Sequence, residues 1–172
     1  MMTTLNAIRA HSPCADGWQK LLSHLGKTKA DDEPLEITTI LDSNGLRDAL
    51  WCLRSVTGHD REIRLYAVWC ARQVQHLMTD TRSLVALDVA ERHAYGEATD
   101  AEMHAAWAAA QDAAWDAAGW AAARSAAWDA AGAAAEAATW AAAWTATRDA
   151  TGAAAVDAQA ARLRAVCAQV AA

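Results

Sequence analysis

Chemistry requires suitable side chains at suitable spacing, and the histidines are the first candidates. His59-Asp60 is a His–acid pair, with His76, His93 and His104 available as further metal ligands. Metal sites on helices gather ligands through His at i, i+4 or through Glu-x-x-His pairs. Neither spacing occurs, and Glu91-Arg92-His93 and Glu102-Met103-His104 place acid and imidazole on different faces. Solvated helix ends are the simpler reading, so neither a metal nor any other cofactor is assigned. Ser83 or a cysteine acting as nucleophile would need a base and a group to orient that base. There is no G-x-S-x-G, and Gly45, Gly58 and Gly119 stand alone, so no glycine-rich loop cradles a phosphate. No residue is assigned a catalytic role, and a non-enzymatic function is expected.

A stronger grouping is basic and aromatic. Arg61, Arg64 and Arg72 share one side of the stretch Asp60–Met78, beside Leu65, Val68 and Trp69. Arg and Trp are the residues most often found as binding hot spots. Arg61, Arg64, Trp69 and Arg72 are therefore candidate partner-binding residues, and Trp51, off the main stripe of its own helix, joins them. The competing reading is an inner helix buried on two sides, its arginines paired with acids such as Asp48, Asp60 or Asp88.

Those residues need helices to position them. In Asp60–Met78, Ile63, Tyr66, Ala67, Cys70, Val74 and Leu77 share one face at 100° per residue, and Asp60 and Glu62 suit the first turn. Before it, Ser12-Pro13 reads as N-cap and first helical position for a helix with Trp18, Leu21, Leu22 and Leu25 in one stripe, stopped by Gly26. Pro34 opens a short helix with Ile37, Ile40 and Leu41, closed by Asn44-Gly45; the β-branched run Ile37–Ile40 offers a strand as the alternative. Leu46, Ala49, Leu50, Leu53 and Val56 make the next stripe. After Asp60–Met78, the spacing predicts a helix over Thr81–Tyr95, stopped by Gly96, and Thr99-Asp100-Ala101-Glu102 is a capping box.

From Ala105 to Ala161 the chain turns to alanine, punctuated by six of its nine tryptophans. Ala113-Ala-Trp-Asp-Ala-Ala-Gly119 recurs as Ala126-Ala-Trp-Asp-Ala-Ala-Gly132. That offset is not a whole number of helical turns, and one helix from 100 to 171 would run roughly 100 Å. At least one reversal is expected, with Gly132, Thr139 and Thr151-Gly152 as the leading sites. The tail ends in a further stripe, Leu163, Val166, Cys167 and Val170.

The totals narrow the function classes. The chain has 172 residues, a formal charge of −6, no Phe and four widely spaced cysteines without a C-x-x-C pair. The charge argues against a nucleic-acid partner, which would require a basic stripe. Cys52 and Cys70 sit inside apolar runs and read as reduced, buried thiols of a cytoplasmic protein. Charged residues interrupt the alanine-rich half, so no membrane span is expected.

The chain resembles a family of bacterial and prophage immunity proteins of the Imm-5-like type. The residues that carry the resemblance are Asp60-Arg-Glu-Ile-Arg-Leu-Tyr-Ala-Val-Trp-Cys-Ala-Arg72, Ala86-Leu-Asp-Val-Ala-Glu-Arg-His-Ala-Tyr-Gly-Glu-Ala-Thr99, the Ala/Trp/Asp repeats and Ser12-Pro-Cys-Ala-Asp-Gly-Trp18. The resemblance implies a small cytosolic antidote that binds and neutralises a toxin, with no catalytic residues. Its phage setting implies a second option, a blocker of a host defence complex or of a competing phage.

The expected fold is all-α: short packed helices, as a helical repeat or irregular bundle over residues 1–98, then long Ala/Trp-rich helices with at least one reversal over 99–172, in one continuous domain. The expected function is a non-catalytic protein-binding factor in the cytoplasm, an immunity-like or phage-encoded inhibitor that occludes a toxin or host defence component. It needs a protein partner, with homo-oligomerisation open. The alternatives are a self-assembling helical scaffold, suggested by the small-residue faces, and a metal-dependent hydrolase.

Overall fold

Apolar stripes at helical spacing, punctuated by glycine, dictate most of the architecture. A computed structural model describes residues 1–116 and 153–170. Among them the fold is all-α apart from one ribbon of two short strands. The elements are β1 (Met2–Thr3), α1 (Leu5–Ala10), α2 (Ala15–Leu25), β2 (Leu35–Glu36), α3 (Ile37–Asn44), α4 (Leu46–Cys52), α5 (Asp60–Gln73), α6 (Thr81–Ala94), α7 (Asp100–Asp116) and α8 (Ala153–Gln169). Short 3₁₀ turns follow α4 and α5, at Leu53–Ser55 and Gln75–Leu77. The expected break sites Gly132, Thr139 and Thr151-Gly152, and with them the reversal, lie outside the described residues. No helix among the described residues is long and apolar enough to cross a membrane. The chain divides into two compact units, Met1–His59 with Gly152–Ala172, and Asp60–Thr151.

In the first unit the stripes land where the spacing puts them. Leu21, Leu22, Ile37, Ile40, Leu50 and Leu163 are all buried, and each such side chain removed from water stabilises by about 1.5–3 kcal/mol. Helix α8 closes this core against α3 and α4 through Leu163, Val166 and Cys167. Arg164 on α8 forms an ion pair with Asp42 on α3. Gly26 stops α2 at φ 64°, and two bonds complete a Schellman motif: Lys27 N–H to Leu22 O at 2.9 Å and Gly26 N–H to Ser23 O at 3.2 Å.

Two helix starts differ from the sequence expectation. Helix α2 begins at Ala15 rather than Pro13, with Cys14 as its N-cap. Ser12 is instead taken by the end of α1: its N–H bonds to Arg9 O at 3.0 Å and its φ is 55°. Helix α3 begins at Ile37 rather than Pro34, because Leu35-Glu36 extends to pair antiparallel with Met2-Thr3, in register Met2 with Glu36 and Thr3 with Leu35. Ile37–Ile40 is helical, so the strand alternative falls there. The ribbon is fastened from inside: buried Thr3 Oγ1 lies 2.7 Å from Ser55 Oγ, which donates to Cys52 O at 2.6 Å.

In the second unit α5, α6 and α7 pack as consecutive neighbours. Val68 on α5, Ala86 and Ala90 on α6, and Met103, Ala106 and Ala110 on α7 form one buried cluster. Alanine faces let the backbones approach closely, so contact density replaces bulk. Ala71, Met78 and Leu87 form a smaller cluster beside it. Helix α5 is shorter than the predicted Asp60–Met78. It gives way to the 3₁₀ turn at Gln75, which breaks the 100° period and turns Leu77 outward at 52% exposure while Met78 takes the inner position. The capping box of α7 forms as read: Glu102 N–H bonds to Thr99 Oγ1 at 3.2 Å, and Thr99 N–H returns to Glu102 Oε2 at 2.7 Å.

Candidate functional site

The arginine side of α5 faces α6, and each arginine meets a different kind of group there. The Arg61 guanidinium stands over the Tyr95 ring, 4.9 Å from its centroid. Arg64 Nη1 lies 2.8 Å from Nδ1 of His93. Arg72 Nη2 donates to Asp88 Oδ1 at 2.9 Å and Glu91 Oε2 at 2.5 Å, while its Nη1 reaches Gln75 Oε1 at 3.0 Å. As the numbering rises along α5 it falls along α6, so the two helices run antiparallel with an arginine row laid against a mixed acidic and aromatic row.

Charge is handled differently at each position. Burial opposes the charge on Arg72, but the hydrogen bonds it donates to Asp88 and Glu91 outweigh it and raise the guanidinium above its ordinary value. His93 passes the arrangement onward, its Nε2 lying 2.8 Å from Asp100 Oδ1 at the start of α7. The hydrogen bond from His93 holds the Asp100 carboxyl below its usual range. Nε of Arg64 is buried without a hydrogen-bond partner. Beside this row is a shallow depression of about 440 Å³, lined by Asp88, Glu91, Arg92, Tyr95 and Glu97.

Of the five residues singled out from the sequence, four lie on α5. Arg61 is exposed, Arg64 and Arg72 are half-buried against α6, and Trp69 is half-buried with its ring stacked near Tyr66, centroids 6.4 Å apart. Trp51 belongs to the other unit, on α4, where the Arg54 guanidinium lies 4.3 Å from its ring centroid and Arg54 Nε donates to Trp51 O at 3.0 Å. Asp88 is among the acids that the sequence offers as arginine partners. Glu91, His93 and Tyr95 are not singled out there, although a short connection between two helices implies antiparallel neighbours and so points to α6.

The other candidate chemistries do not assemble among the described residues. No three His, Cys, Asp or Glu side chains come together as a metal-binding group. Ser83 is 1% exposed and its Oγ has no hydrogen-bond partner, so no base reaches it. Burial pushes the Cys52 thiol up to about 12 and raises that of Cys167, the opposite of an activated nucleophile. No protein-family profile, curated protein or solved structure matches the chain.

Proposed function

We propose that this chain is a non-catalytic protein-binding factor, an immunity-like or phage-encoded inhibitor that acts in the cytoplasm by occluding the working surface of a toxin or host defence component. The observation that carries the reading is the arginine row of α5, with guanidinium groups held in place by α6 and the half-exposed Trp69 beside them. Side chains already ordered lose less entropy when a partner docks, so such a row suits recognition. The resemblance of Asp60–Arg72 and Ala86–Thr99 to immunity proteins points the same way, since these stretches make up most of α5 and α6.

The test is capture of a binding partner from host lysate on the immobilised full chain, followed by affinity measurements on variants. Trp69→Ala and Arg61→Glu are expected to weaken the captured complex by about tenfold or more, the size of a hot-spot loss, with helical circular dichroism unchanged. Loss of helix in Trp69→Ala would assign that indole to the core. Failure of the folded chain to retain any partner would remove the reading.

A further inference from the structure

The outer side of α6 carries five exposed residues at alternating four- and three-residue steps: Thr81, Val85, Asp88, Arg92 and Tyr95. Steps of four and three keep side chains on one line along a helix, the spacing of a helix–helix seam. Two of the five are large apolar side chains left in water, Val85 at 47% and Tyr95 at 49% exposure. The two between them carry opposite charge.

The order of the last four of these residues is self-complementary. Val85 and Tyr95 lie equally far on either side of residue 90, and so do Asp88 and Arg92. When two copies of α6 meet antiparallel about a two-fold axis at residue 90, Val85 of each copy lies on Tyr95 of the other. Asp88 of each then lies by Arg92 of the other. An interface between identical chains about a two-fold requires this reciprocity, residue i on j and j on i. We propose that the outer stripe of α6 is the seam of an antiparallel homodimer. The inference is independent of the inhibitor reading and uses different residues from Arg61 and Trp69.

The intramolecular bonds leave room for it. Asp88 accepts from Arg72, yet its side chain is 65% exposed, and a carboxylate has about four lone-pair sites. Arg92 reaches Glu97 O at 2.9 Å and Glu102 at 3.8 Å, and its side chain is 49% exposed. The depression lined by Asp88, Glu91, Arg92, Tyr95 and Glu97 lies at the end of the stripe that Val85 of the second copy reaches, where the Tyr95 ring is its apolar wall. A helix of this length offers a seam roughly 21 Å long, which places the dimer among small, concentration-dependent associations.

The deciding measurements use the full chain. In sedimentation equilibrium the wild-type mass is expected to climb from 18.3 kDa towards twice that value as concentration rises, and Val85→Glu to stay monomeric while circular dichroism is unchanged. Oxidative cross-linking fixes the register in a Cys14→Ser background. Across the axis two copies of position 85 stand roughly 15 Å apart along the helix direction, too far for a disulfide, and so do two copies of position 95. Val85→Cys alone and Tyr95→Cys alone are therefore expected to give no covalent dimer, and their mixture to give one. A wild-type mass fixed at the monomer value at every concentration would overturn the proposal. So would cross-linking of either single variant by itself, or the absence of a covalent dimer in the mixture.

Discussion

Arg64 Nη1 lies 2.8 Å from His93 Nδ1, and this contact decides the state of the imidazole. A guanidinium can only donate, so Nδ1 must present its lone pair. The ring proton then sits on Nε2 and is donated to Asp100 Oδ1, 2.8 Å away. Long-range proton–nitrogen NMR is expected to find His93 protonated at Nε2 alone in the neutral ring. His93→Leu removes the acceptor from a guanidinium whose Nε already lacks one, at a cost of ~1–3 kcal/mol. His93→Asn, whose side-chain oxygen stands close to the position of Nδ1, costs less. Urea denaturation of the two variants distinguishes loss of the hydrogen bond from loss of the ring.

Gly17 lies where the first turn of α2 meets α4. A Cβ there would stand 2.9 Å from Asp48 Oδ2 and 3.1 Å from Cys14 Sγ. Asp48 is held by Asn44 Nδ2, which donates to it and to Gly17 O, both at 2.8 Å. Gly17→Ala gains up to ~1 kcal/mol in helix propensity and loses an Asn44–Asp48 bond worth about the same. The single variant is expected to melt close to wild type. In an Asp48→Ala background only the exposed Cys14 Sγ has to give by a few tenths of an ångström, and the same substitution should stabilise, a non-additivity that a double-mutant cycle measures.

Acid should weaken the fold in a definite window. Asp42 beside Arg164, Asp80 beside Arg82 and Glu102 beside Thr99 all titrate below their ordinary values, chiefly through those hydrogen bonds. A carboxyl whose folded value is depressed contributes stability above its unfolded value and loses it as pH falls through the folded one. The urea midpoint is therefore expected to hold above the ordinary carboxylate range, roughly pH 4–5, and to fall below it. Arg164→Met, by removing the Asp42 contribution, should make that fall shallower. Lys27, raised by its bonds to Asp31 and Glu33, predicts the mirror-image loss as pH rises through its folded value.

The cysteines should separate cleanly by reactivity. Cys14 is exposed, whereas Cys52, Cys70 and Cys167 are buried, and the Cys52 thiol is pushed up to about 12. An Ellman titration of native protein is expected to count one fast thiol, abolished by Cys14→Ser. Complete unfolding should release all four.

Much of this organisation is legible in the sequence wherever its causes are local. Gly26 and Gly96 stop α2 and α6, Thr99 and Glu102 cap α7, and Leu163, Val166 and Cys167 turn inward, each from chemistry within a few residues. What was not legible depends on distant partners. Two-residue strands have no period to detect, so Leu35-Glu36 gives no sign of its pairing with Met2-Thr3. The end of α5 at Gln73 shows only in the outward turn of Leu77. The arginine row was visible, but its partners Glu91, His93 and Tyr95 depend on the rotation of α6 about its axis, which its own residues do not reveal.

Asp42 and Arg164 are 122 residues apart in the chain, yet they join α3 to α8 within one unit. The α5–α6–α7 contacts, by contrast, link successive elements. Closing a long loop costs more entropy than closing a short one, and folds rich in local contacts form faster. During synthesis, therefore, α1 to α4 leave the ribosome first but are sealed last, after α8 emerges. Until then the Ile37, Ile40 and Leu50 surfaces lack their cover. This is the interval in which a nascent chain most needs a chaperone, and it would be shortened by any circular permutation that placed α8 directly ahead of β1.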